Sequence, residues 1–258
     1  MNRVIVCFKQ VVSEEDLIIE PDLSVNFSRA KVKISDYDRH AIEAARIAAD
    51  SMASEAVGLT FTSQEAKTTI KDALARGLDQ AFWIHDEACE NADGFVTANV
   101  LAAAINKIGG YGLVICAEGA ADTYAHEVGP RLGALLDLPV VSYVTSLQVE
   151  GEKLTAIRKL ENSFEKVELD LPAVVTVLPE INPAPIPGLK AVLEGKKKQI
   201  TELSLSDLDI QESDCKRKTT VDAFKGYTSD RKNVVFDEGS VEEKINALIV
   251  TLKKEGVL

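Results

Sequence analysis

Six short runs limit what this chain can become: "RVIVCF" (3–8), "EAVGLTF" (55–61), "QAFWIH" (80–85), "GLVICA" (112–117), "PVVSYV" (139–144) and "AVVTVL" (173–178). Each is apolar almost without a break, the pattern of strands covered on both faces. Helical periodicity fills the gaps between the first five. "DRHAIEAARIAADSM" brings Ala41, Ile42, Ala45, Ala48 and Ala49 near one face. "QEAKTTIKDALARG" stops at Gly77, a plausible C-cap residue, and "GFVTANVLAAAINKIGG" is a third helix. Val128, Leu132, Leu135 and Leu136 come next, at i, i+4, i+7 and i+8. Alternation of this kind predicts an open, mostly parallel α/β sheet with helices on both faces and right-handed crossovers.

The character changes near residue 144. "VTSLQVEGEKLTAIRKLENSFEKVELDLPAVVTVL" has shorter alternating runs and turn signals at "EGEK" and "ENS", which predict an antiparallel hairpin extension before the last buried strand. "PEINPAPIPGLKAVLEGKKKQI" (179–200) is dense in proline, so an extended, stiff loop is expected. Beyond 203 the chain turns polar and reads as an extended arm. It closes in a helix, "SVEEKINALIVTLKKEG", where Ser240 and Glu243 have capping-box spacing and Ile245, Leu248 and Leu252 share a face. The division expected is a nucleotide-binding α/β domain at 1–200 and an arm at 201–258.

Several functional classes fall away. A net charge of −12 argues against nucleic acid or an anionic membrane surface. No apolar stretch reaches the roughly 18 residues of a membrane span, and the run in "MNRVIVCFKQ" is too short for a signal peptide. Cys7, Cys89, Cys116 and Cys215 lack CxxC spacing, a reduced, cytoplasmic-type pattern. His40, His85 and His126 have no ligand spacing, so no metal is expected. There is no Ser-His-Asp or Cys-His arrangement, no GxGxxG and no GxxxxGK[ST], and no catalytic residue is assigned.

What remains is the carboxyl end of the sheet, where open parallel sheets bind ligands. The loop "EGAADTYAHEV" (118–128) lies there, and "CFKQ" (7–10) is its neighbour if the first and fourth strands are adjacent. A small-residue loop running into a helix offers backbone N–H groups and a positive helix end to phosphate. Asp122 or Thr123 is placed to cap that helix, and Pro130 either starts it or kinks it. Lys9, just past a buried strand, is placed to pair with a phosphate or carboxylate.

Four landmarks in order, "VIVCFKQV", "KISDYDRHAIEAA", "DALARGLDQAFWI" and "ADTYAHEVGPRLGALLDLP", resemble the beta (small) subunit of electron transfer flavoproteins. "RKLENSFEKVELDLPAVVTV" and "IPGLKAVLEGKKKQI" are similar to its later hairpin and recognition loop. Three positions depart. Ser35-Asp36 stands for the usual Asn-Pro, Asn162-Ser163 for a Gly-Gly turn, and "ADTY" for an acid-rich run. The last is closer to the branch associated with nitrogen fixation and carnitine metabolism, implicated in electron bifurcation. Two other classes fit less well. An ATP-pyrophosphatase or nucleotidyl transferase needs a Ser-Gly-Gly-x-Asp-Ser-type loop, and "CFKQVVSEED" lacks it. A stress-type nucleotide-binding module without redox role needs neither the proline-rich loop nor the arm.

The resemblance implies a Rossmann-like sheet of the adenine-nucleotide-binding type and a heterodimer with the alpha (large) subunit, on which the arm packs. It implies FAD in this subunit, with AMP as the alternative in simple carriers, and NADH as a possible electron donor. Mapped by residue, the cofactor site takes Cys7, Phe8, Lys9, Ser35, Asp36, Tyr37, Asp38, Phe61, Thr62, Asp122, Thr123, Tyr124, Ala125, Glu127, Val128, Gly129, Pro130 and Arg131. Ile186 and Leu189, in the 179–195 loop, are the expected anchors for a flavin dehydrogenase.

Overall fold

The computed structural model describes residues 3–63, 65–227 and 231–258. Two compact units emerge, one of residues 1–18 and 26–223, the other of 19–25 and 224–258. The first holds a nine-stranded sheet. Its strands are β1 (Arg3–Cys7), β2 (Glu55–Thr62), β3 (Gln80–His85), β4 (Tyr111–Ala117), β5 (Val140–Glu150), β6 (Lys153–Lys159), β7 (Phe164–Asp170), β8 (Ala173–Val177) and β9 (Gln199–Leu203). They lie in the order β7-β6-β5-β8-β4-β1-β2-β3-β9. The ladders from β5 to β9 by way of β1 are parallel, and β5, β6 and β7 are antiparallel neighbours. The α/β, mostly parallel expectation holds. β1 does lie beside β4, and strand order reverses between them.

Helices α1 (Asp36–Ser51), α2 (Lys67–Ala75), α3 (Gly94–Ile108), α4 (Val128–Leu136) and α5 (Leu189–Gly195) belong to the same unit. α1 and α2 cover one face, around Ile42, Ile70, Leu74 and Trp83. α3 and α4 cover the other, around Leu59, Val100, Ile105 and Leu132. The two faces explain the apolar strands. Val4 and Val6 enter the first core, while Ile5 and Cys7 enter the second. Each fully buried Ile or Leu contributes about 1.5–3 kcal/mol over leaving it exposed. The apolar face read for α1 is buried throughout. In α4, Leu132 is fully buried, but Leu135 stays 45% exposed.

α4 approaches the sheet unusually closely. A Cβ on Gly133 would lie 1.8 Å from Val140 Cγ2, and one on Gly129 would lie 2.2 Å from Thr176 Cγ2. Glycines at i and i+4 remove the side chains that would hold the helix off β5 and β8.

Two elements correct the sequence reading of 179–203. A short helix, α5, begins at Leu189, and Gln199–Leu203 is a strand pairing with β3 in parallel. The extended loop is confined to the prolines. Proline density obscured both elements because the helical run is only seven residues long, and the strand sits at the sheet edge. β5 also runs past "PVVSYV" to Glu150, since its second half pairs with β6.

Asp93 ties residues 218 and 219 to the start of α3. Its Oδ1 caps α3 by accepting from Val96 N at 3.0 Å, and its Oδ2 accepts from Lys218 N at 2.6 Å and Thr219 N at 2.9 Å. Burial raises this carboxyl's pKa, but the hydrogen bonds win and hold it at about 2.

In the second unit, helix α6 (Val241–Lys254) begins with the expected capping box. Glu243 N donates to Ser240 Oγ at 3.3 Å, and Ser240 N donates to Glu243 Oε2 at 2.7 Å. No residue of α6 is buried, so the apolar face of Ile245, Leu248 and Leu252 is unfilled within the unit. No helix among the described residues is long and apolar enough to cross a membrane.

Candidate functional site

The site is the carboxyl end of β1 and β4, where strand order reverses. Chain leaving β1 is held at once. Lys9 N donates to Asp38 Oδ2 at 2.7 Å, and Ser35 N donates to Lys9 O at 3.0 Å. Ser35 and Asp38 are both buried. Burial pushes the Asp38 carboxyl up to about 7, the Lys9 N–H and ammonium pull it down, and Asp122 pushes it up.

The Lys9 ammonium reaches across to the loop after β4, where Asp122 Oδ2 accepts at 2.5 Å. Asp122 Oδ1 accepts from Thr123 N at 2.8 Å, and Ala121 N donates to Ser35 Oγ at 3.2 Å. Asp122 therefore shapes the loop and does not cap α4. The residue preceding the helix is Glu127, whose side chain makes no capping bond. Pro130 does not start the helix. The helix starts two residues earlier, at Val128, and Pro130 is its third residue. Proline is harmless there because the first-turn N–H groups have no intrahelical partner.

Aromatic rings line the loop. Tyr124 lies 5.0 Å from the Tyr37 ring and 4.2 Å, edge-on, from His126. His126 in turn lies 5.9 Å from Tyr143 in β5. The Tyr124 hydroxyl donates to the buried Glu118 Oε1 at 2.5 Å, which raises the phenol's pKa well above its ordinary value. Tyr124, His126 and Tyr143 all have left-handed backbone, with φ of 48°, 58° and 64°. Such conformations carry about 1–3 kcal/mol of strain each and collect where a site over-determines them.

Of the residues expected here, Lys9, Ser35, Tyr37, Asp38, Asp122, Thr123 and Tyr124 come together through these contacts. Arg131 pairs with Glu127 Oε2 at 3.0 Å in the first turn of α4. Asp36 turns aside to Lys33 at 2.8 Å and Arg39 at 2.6 Å. Cys7 and Phe8 pack in the two cores, and the Cys7 thiol is pushed well up by its hydrogen bond with Cys116 and by burial. Phe61 and Thr62 are buried at the end of β2, where the Phe61 carbonyl accepts from Cys89 Sγ at 3.3 Å. Ala125 and Val128 lie in the loop and at the helix start. Gly129 is buried and faces Thr176. Sequence reasoning missed Glu118, His126 and Tyr143. His126 was weighed only as a metal ligand, and Tyr143 sits mid-strand with nothing to mark it.

The residues fit a nucleotide phosphate. α4 offers a helix N-terminus without a side-chain cap, and Lys9 offers an ammonium. Each cation is already paired with a carboxylate, Lys9 with Asp122 and Arg131 with Glu127. All four side chains are a third exposed or more, and pairs like these contribute about 0–1 kcal/mol, so a phosphate can displace the carboxylates cheaply.

A switch-point loop, an ammonium and an uncapped helix start thus meet at one end of the sheet. A sequence profile described as the electron transfer flavoprotein domain matches residues 22–208, well over half of the chain. The protein belongs to the electron transfer flavoprotein family.

Proposed function

We propose that this chain is the beta (small) subunit of a heterodimeric electron transfer flavoprotein, and that the site between β1 and β4 binds FAD through its phosphates. The observation that carries the reading is the meeting of the Lys9 ammonium with the loop that leads into the uncapped α4. A bound FAD would supply electron transfer chemistry. This chain's residues would hold it. Lys9, Arg131 and the N–H groups at the start of α4 meet phosphate charge, and Tyr37, Tyr124 and Tyr143 offer ring surface. NADH is the donor in this reading, and the large subunit's flavin receives the electrons. Exposed Ile245 and Leu248 on α6 support an arm that packs on that large subunit.

Flavin counting on the co-expressed heterodimer tests this. Two FADs per dimer are expected. One FAD with one AMP would overturn FAD here and leave a simple carrier; absence of any nucleotide from this subunit would overturn the site itself.

The outgoing partner is read from 179–195. Ile186 is 90% exposed and Leu189 76%, so neither supports the core. Ile186→Ala and Leu189→Ala are each expected to raise the KM for a flavin dehydrogenase about tenfold, as loss of an apolar anchor does. Tm and flavin content should not move. An unchanged KM in both variants would end the docking assignment.

A further inference from the structure

The exposed anchors stand on a segment that cannot hold itself. Prolines at 183, 185 and 187 remove every second N–H from its tip, so no strand ladder can fix it. Its carbonyls remain, and two helices supply donors to them. His40 Nδ1, from α1, lies 2.7 Å from the Asn182 carbonyl oxygen. A carbonyl only accepts, so that nitrogen carries the proton. Asn182 Nδ2 returns a bond to the His40 carbonyl at 3.2 Å. Arg76, at the end of α2, donates from Nη1 to the Pro185 carbonyl at 3.2 Å. Its own Nε is aimed by Asp72 at 3.2 Å.

Both flanks are anchored too. Before the prolines, Lys159 pairs with Glu180 at 2.9 Å and Ile181 packs on the first core. After them, α5 lies so close to α2 that a Cβ on Gly195 would meet Ala75 N at 2.7 Å. Between those flanks Asn182 Nδ2 also donates to the Pro183 carbonyl at 3.1 Å, and among the described residues His40 and Arg76 are the side chains from outside the segment that take the tip's carbonyls. Ile186 comes directly after one of the held residues.

We propose that His40 and Arg76 are positioning residues that hold 182–187 in one place, so that Ile186 and Leu189 are presented before a partner arrives. This rests on the reading that the pair docks a dehydrogenase. A loop ordered in advance spares the complex the cost of ordering it on binding. Donors from two separate helices, aimed at a segment that has lost every second backbone N–H, distinguish this from incidental surface bonding.

Pulsed dipolar EPR tests it on the full chain in its purified assembly. Nitroxides go on Ile186→Cys and on Lys71→Cys, an exposed position of α2, with Cys89 and Cys215 replaced by serine. The parent should give one narrow distance distribution. His40→Ala with Arg76→Met should broaden it about twofold or more, the mark of a loop released to sample many conformations. His40→Asn in the same Arg76→Met background keeps an N–H near the Nδ1 position and should narrow it again. Tm should stay constant throughout. A distribution as narrow in the double variant as in the parent overturns the proposal. So does broadening that His40→Asn does not reverse, or that accompanies a falling Tm. Docking is read separately by the Ile186→Ala and Leu189→Ala kinetics. A fixed segment that docks nothing and a docking segment that is not fixed therefore give different results.

Discussion

Gly129→Ala is expected to destabilise the chain by about 3 kcal/mol, a fall in Tm of about 6–12 °C for a domain this size, and Thr176→Ser should return most of it. The added Cβ would stand 2.2 Å from Thr176 Cγ2, far inside contact distance, while Thr176 Cβ and Cys116 Cβ lie at 3.6 and 3.8 Å. Serine removes that one methyl and keeps the Oγ, which accepts from Tyr143 N at 3.2 Å. Helix propensity alone would favour alanine over glycine by up to about 1 kcal/mol, so a loss of stability isolates the clash. Nucleotide content should fall with the fold and recover with it. The result bears on why the residue is glycine. A glycine kept for phosphate to approach would be indifferent to Thr176. Were Gly129→Ala to lose nucleotide at unchanged Tm, with no recovery in Thr176→Ser, the packing account would be wrong.

The second large effect is on binding alone. Lys9→Met should weaken nucleotide binding about 10- to 100-fold, since charge-assisted hydrogen bonds contribute about 1.5–3 kcal/mol. Stability should hardly change. The Lys9–Asp122 pair is 48% and 36% exposed by side chain, and exposed pairs contribute about 0–1 kcal/mol. Losing the ammonium also leaves Asp122 and the buried Asp38 without their nearest cation, which adds repulsion toward any phosphate. Calorimetric titration of AMP into nucleotide-stripped protein reads the change. Equal affinity in parent and variant would make the ion pair a loop clasp and nothing more. Gly129→Ala and Lys9→Met thus separate a packing role in α4 from a charge role after β1.

Much of the fold was legible in the residues. Unbroken apolar strands required a sheet with two covered faces, and the i, i+3, i+4 patterns placed four helices to within a few residues. The α6 capping box was readable because its partners, Ser240 and Glu243, are three residues apart. Signals of this kind are local, so sequence carries them directly. The proline-rich stretch misled for the same reason. Local composition argued for extended chain, while α5 and β9 are held by contacts with α2 and β3.

The position of the candidate loop was legible, and its arrangement was not. An alternating βα pattern places loops at the carboxyl end, and the loop at 118–128 was located on that basis. Which groups meet there depends on strand order. Lys9 reaches Asp122 across 113 residues of sequence only because β1 and β4 are neighbours. The left-handed backbone at Tyr124, His126 and Tyr143 has no composition signal, because tertiary contacts impose it against local preference. His40 and Asn182, 142 residues apart, looked like an isolated histidine and a loop amide. Sequence alone determined most of the sheet, its four long covering helices and which loops stand at its carboxyl end, since periodicity and burial dictate those. Tertiary structure decided which charges pair, what Gly129 packs against and what bonds the carbonyls of 182–187, since each is a contact between groups that chain order keeps far apart.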